Sequence, residues 1–137
     1  MNLALALLLV ASLAGREPSR GQTRIAEAIA RQCEDSWCTA EAVVWGYAES
    51  NLSRHPIAES PDAKAGSSCG IWQTPCALTR DDVDSQVRLW LRMRAQSLGA
   101  CGDLTALASG QCGRATELVA ARRQEAAALL LAAEWAR

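Results

Sequence analysis

Thr39-Ala40-Glu41-Ala42-Val43-Val44-Trp45-Gly46-Tyr47-Ala48-Glu49-Ser50-Asn51-Leu52, residues 39–52, reads as a helix that runs into a loop. Thr39 can cap and Glu41 puts an acid in the first turn, so a helix is expected over 40–50. Val44 and Ala48 share one face, while Trp45 and Glu49, four apart, lie one above the other. No period-two alternation competes with this reading.

Working outward, Ile25, Ala26, Ile29 and Ala30 recur at helical spacing and predict an earlier helix over 23–32. Residues 51–76 contain Pro56, Pro61, Pro75, Gly66 and Gly70 among serines, and predict an irregular loop of about 25 residues, a length that usually carries function. Asp81 and Asp82 open a helix that carries Val83, Val87 and Leu91 and is expected to reach Leu98. Asp103 can cap a short helix through Ser109, stopped by Gly110, and a last helix is expected from Arg114 through Leu130. No β-hairpin and no internal repeat is evident. The fold class expected is all-α or mostly α, with one long irregular loop between helices.

The chain has 137 residues, enough for one domain. Its first 14 residues are apolar and too short to span a bilayer relaxed. They read as a leader with a small-residue exit at Ser12-Leu13-Ala14, although no Lys or Arg precedes the apolar run. The expected division is a leader over 1–14, a polar stretch over 15–22 and the folded domain over 23–137. An uncleaved N-terminal anchor and a buried first helix are the alternatives. The six cysteines, Cys33, Cys38, Cys69, Cys76, Cys101 and Cys112, all follow the leader and suit three disulfides in an oxidising compartment; six allow about 15 pairings, which sequence alone does not choose among, and neighbours in sequence are the natural expectation. A periplasmic or extracellular protein with no membrane span in its mature form is expected. Cys-x2-Cys spacing is absent and His55 is the only histidine, so no metal or other cofactor is expected. A net charge of −1 with scattered basic residues excludes the footprint of a nucleic-acid binder.

Glu49 stands out chemically because it closes an apolar segment where a helix meets the long loop. Half-buried against Trp45 and Tyr47, a carboxyl there would be disfavoured in its charged form and ready to donate a proton. The plainer alternative is a solvated glutamate at a helix end. Further on, Gly70-Ile71-Trp72-Gln73-Thr74-Pro75 joins a glycine that admits close approach, a flat indole and an amide that both donates and accepts. Core packing for Trp72 and loop bracing for Gln73 are the corresponding plain readings.

Taken together, Glu49-Ser50, then Ser60-Pro61, then Gly70-Ile71-Trp72-Gln73 ending in Pro75 resemble the lysozyme-like superfamily, most closely the soluble lytic transglycosylases. The Gly-Ile-Trp-Gln segment also resembles animal lysozymes, and Cys69 before it the invertebrate type. The likeness covers residues 40–76, the rest only in outline. It implies a lysozyme-like helical domain, braced here by disulfides, whose irregular loop helps form the active site. It also implies a monomer that acts on peptidoglycan glycan strands and cleaves the MurNAc-GlcNAc β-1,4 bond. Glu49 would be catalytic acid and base, Ser50 would order the site, and Gly70, Trp72 and Gln73 would meet the sugar.

Three departures accompany the likeness. The loop is longer, with residues 55–60 as the apparent insertion. Leu107-Ala108-Ser109-Gly110 stands where the family has Tyr-Asn-Ala-Gly, which leaves Tyr47 as the candidate supporting tyrosine. The cysteines are additional. A hydrolytic lysozyme would want a second carboxylate about 5–5.5 Å away if retaining, or about 6.5–9.5 Å if inverting. Glu59 and Asp62 are the candidates, though both read more simply as solvated loop acids. A transglycosylase needs one carboxyl only, and that reading is preferred. Hydrolysis, and a module that binds glycan or protein without cleaving, are the alternatives.

Overall fold

The apolar run of residues 42–46 is buried on every side and forms the middle of the protein. In the computed structural model, residues 2–53 and 68–135 are described, and His55, Glu59, Ser60, Pro61 and Asp62 lie outside them. The described residues form six α-helices: α1 Asn2–Ala14, α2 Arg20–Gln32, α3 Ser36–Ser50, α4 Val83–Cys101, α5 Thr105–Ser109 and α6 Thr116–Trp135. Two short strands, β1 Ser68–Cys69 and β2 Thr74–Pro75, and a 3₁₀ turn over Cys76–Leu78 lie between α3 and α4. The mostly helical class expected from the sequence is present.

α3 is central because residues 38–46 are all buried. It packs on α1, α2 and α6, while α4 packs on α2 and α5. Ile25 and Ile29 of α2 join Val43 and Val44 of α3 and Val87 and Trp90 of α4 in one core. Each such side chain contributes roughly 1.5–3 kcal/mol by leaving water. Glu41, also buried, would oppose this if left alone. Both the Nε and a terminal nitrogen of Arg94 on α4 donate to its Oε1, at 3.0 and 2.6 Å, so α3 and α4 are joined by a paired charge.

Helix boundaries follow the better cap where two compete. α2 starts three residues before the expected position because Ser19 and Gln22 form a reciprocal capping box. Gln22 is buried and its Nε2 donates to Asn51 O at 3.0 Å, so the stretch expected to be a polar leader instead ties the start of α2 to the end of α3. Asp35, not Thr39, caps α3 by accepting from the Cys38 amide at 2.7 Å; Thr39 falls inside the first turn and its hydroxyl donates to Asp35 O. α4 runs on to Cys101, past the expected Leu98, and stops where Gly102 takes a left-handed conformation. α5 ends at Ser109, as expected, with Gly110 left-handed behind it.

Residues 2–14 are helical and packed into the domain. Leu5, Ala6, Leu9 and Val10 of α1 are buried in the core. Among the described residues no helix is long and apolar enough to cross a membrane. All six cysteines are paired as sequence neighbours: Cys33–Cys38 across the α2–α3 corner, Cys69–Cys76 across the strands, and Cys101–Cys112 around α5.

Candidate functional site

At the end of α3 burial stops abruptly. Gly46 is buried, Tyr47 is half-buried, and Ala48 and Glu49 are exposed. The chain then reverses through Asn51 and Leu52, both at positive φ, 57° and 54°. That conformation costs a non-glycine residue roughly 1–2 kcal/mol. Leu52 offsets the cost because its side chain folds back under α3 and is only 1% exposed. It lands on Gly46, where an added Cβ would lie 2.7 Å from Leu52 Cδ2 and 3.0 Å from Trp72 Nε1. Gly46 therefore lets the loop segments close onto the helix. The sequence signal for this was a glycine within an apolar helical run.

The segment that approaches Gly46 is a hairpin, contrary to the expectation of irregular loop only. β1 and β2 pair antiparallel with Cys69 opposite Thr74, and the Cys69–Cys76 disulfide closes the pair. Two-residue strands carry no alternation, so periodicity could not reveal them. The turn between them needs Gly70 at φ 80° and holds Gln73 at φ 52°. The Gln73 amide and its Nε2 both donate to Gly70 O, at 3.2 and 2.8 Å. The Ser50 hydroxyl lies 2.7 Å from Ile71 O and 3.2 Å from Gly46 O, and accepts from the Ser53 amide at 3.0 Å. Ser50 thus joins the end of α3 to the turn.

These elements enclose a cleft of about 350 Å³. Glu49 lies on its α3 side and Gln73 and Thr74 on the hairpin side; Met93 of α4 and Leu118 of α6 complete the walls. Among the described residues that line it, Glu49 is the sole ionisable group. The Glu49 carboxylate makes no hydrogen bond or ion pair to the described residues, and it is exposed, which corrects the expectation of a half-buried acid. One N–H of Gln73 Nε2 is used on Gly70 O, leaving the second N–H and Oε1 of that amide for a ligand. A larger cavity of about 820 Å³ is lined by Arg20, Arg24 and Arg31 together with Glu27, Asp82 and Asp84; Leu52 and Ser53 reach it, but Glu49, Ser50, Trp72 and Gln73 are not among its described lining residues.

Trp72, Gly70 and Tyr47 differ in their relation to the cleft. Trp72 lines it but is only 5% exposed: its Nε1 donates to Ala42 O at 2.9 Å and one face of its ring stacks on Trp90 with centroids 5.5 Å apart. Gly70 is buried, and its role is the positive φ of the turn rather than approach to a ligand. Tyr47 does not line the cleft, because two helical residues separate it from Glu49 by about half a turn. Leu107, Ala108 and Gly110 do line it, so the segment that departs from the family pattern faces the cleft with apolar groups. Met93 and Leu118 carried no signal in the sequence. Compared with known proteins, the chain matches no family model, no curated protein and no solved structure.

Proposed function

We propose that this cleft cleaves the glycan strands of bacterial peptidoglycan as a lytic transglycosylase, with Glu49 as its acid and base. The observation that carries the reading is that, among the described residues lining the cleft, Glu49 supplies the one carboxyl, opposite the Gln73 amide, and the other described lining groups are neutral. Glu49 protonates the glycosidic oxygen, the N-acetyl group of the substrate supports the positive charge that develops, and the resulting carboxylate takes the proton of the 6-hydroxyl as the 1,6-anhydro ring closes. Glu49 is exposed in the free protein, open to a glycan that enters the cleft. Gln73 Oε1 is suited to accept from the N–H of the acetamido group. The three disulfides suit an exported enzyme.

A second reading, a glycan-binding module that does not cleave, is favoured by one observation. The Leu107-Ala108 wall offers no side-chain donor where the resemblance implies Tyr and Asn. Incubating the full, oxidised chain with isolated walls and weighing the products by mass spectrometry separates the readings. Anhydro ends are expected. Reducing ends would replace transglycosylation by hydrolysis, and bound protein with no released fragments would leave the binding module. Glu49→Gln preserves shape but not the acid, and should lower the release rate about a hundredfold to ten-thousandfold.

A further inference from the structure

Ile71 is fully buried, and both polar atoms of its backbone are held by side chains from different helices. Its carbonyl accepts from Ser50 Oγ, next in the chain to Glu49 at the end of α3. Its amide donates to Gln86 Oε1 at 3.0 Å, in the first turns of α4. Gln86 is 2% exposed, and its Nε2 donates to Arg80 O at 2.9 Å and to Asp81 O at 3.3 Å, in the segment that leads into α4. One buried amide therefore bonds to both the turn over 70–73 and the approach to α4, and Ser50 continues the connection to the end of α3.

We propose that Gln86 is a positioning residue of the cleft, fixing the turn that carries Gln73 relative to the Glu49 carboxyl. This rests on the reading of the cleft as a glycan-cleaving site. Gln86 touches no substrate, since it does not line the cleft. Other anchors hold the hairpin in place without it: the Cys69–Cys76 disulfide, the Trp72–Trp90 stack and the Trp72 bond to Ala42 O. None of these touches the Ile71 amide. Loss of Gln86 thus leaves the hairpin formed but frees the turn to shift, and a displacement of about 1 Å at a reacting centre costs about a hundredfold in rate. Glutamine suits the place because a single planar group accepts from one segment and donates to another.

The test uses the full, oxidised chain as Gln86→Met, which fills the volume without hydrogen bonds, and Gln86→Glu, which keeps an acceptor for Ile71. Two readouts are taken: hydrogen exchange at the Ile71 and Gln73 amides, and the kcat and KM of wall cleavage. Gln86→Met should retain its circular dichroism, exchange Ile71 at least about tenfold faster, and lose about tenfold to a hundredfold in kcat with KM within about twofold. Gln86→Glu, which loses both donors to the Arg80 and Asp81 carbonyls, should recover little of that loss. A Met variant that exchanges faster yet turns over normally, or exchanges no faster, overturns the proposal. Should the Met variant fail to fold, Ser50→Ala cuts the opposite bond and must give the same split, and normal turnover there overturns the proposal equally. If the unaltered protein releases no wall fragments, the glycan-cleaving reading fails and the catalytic part of this inference with it, while the exchange data still report whether Gln86 holds the turn.

Discussion

The two sides of the cleft are built on different principles. On the side of Glu49 and Gln73, the end of α3 and the hairpin are locked by a glycine contact, a buried Leu52, a buried Trp72 and hydrogen bonds to both ends of the Ile71 peptide. On the other side, α6 buries only Ala126 and Ala133 of its twenty residues, and α5 is a single short turn of helix. That side is held by the Cys101–Cys112 disulfide, by the Gly113 amide donating to Thr105 Oγ1 at 2.8 Å, and by Arg122 of α6 over the Trp45 ring. The polar groups able to do chemistry sit where geometry is fixed by several independent contacts.

The contrast is tested most strongly at Gly46. Gly46→Ala gains up to about 1 kcal/mol of helix propensity but drives a methyl into Leu52 and Trp72, an overpacking that costs about 1–3 kcal/mol. A net loss of about 1–2 kcal/mol is expected in urea unfolding. An unchanged or raised midpoint would show that the locked side yields as easily as the other.

Next in size is Asp82, whose carboxylate caps α4 behind the hairpin by accepting from the Ser85 amide at 2.9 Å. Hydrogen bonding from the Ser85 side chain, and then from its backbone, holds the Asp82 carboxyl below its ordinary value of 3.8. A group lowered in this way contributes stability above its unfolded value and loses it as pH falls through the folded one. Asp82→Ala should therefore cost about 1 kcal/mol at pH 7, with the difference from the unaltered protein shrinking below about pH 4. A difference that stays constant down to pH 2 would mean that the charged cap is not its source.

The smallest effect is expected on α6, where Leu131→Gln changes a side chain that is 59% exposed and should alter stability by no more than about 0.5 kcal/mol. A loss of about 2 kcal/mol would place α6 among the locked elements.

How legible these features were in the sequence follows from the range of the forces involved. Caps and glycine stops act over a few residues, so α5 and the end of α2 could be read directly; the pairing of neighbouring cysteines was the natural choice among several that the sequence left open. Thr39 was the cap read from the sequence, and Asp35, in the link before it, is the one that local geometry uses. The placement of Trp72 could not be read, because it depends on Trp90 and on the carbonyl of Ala42, thirty residues away. Glu49 and Gln73 stood out by position and by resemblance, but the exposure of Glu49 depends on how sharply the chain turns at Asn51 and Leu52. The hairpin was hidden because its strands are fixed by a disulfide and by side chains from α3 and α4, not by a pattern of their own.

The burial of α1 makes residues 2–14 part of the core. Leu5, Leu9 and Val10 cover apolar faces of α2 and α3, so loss of that segment would open a contiguous apolar patch on both helices at once.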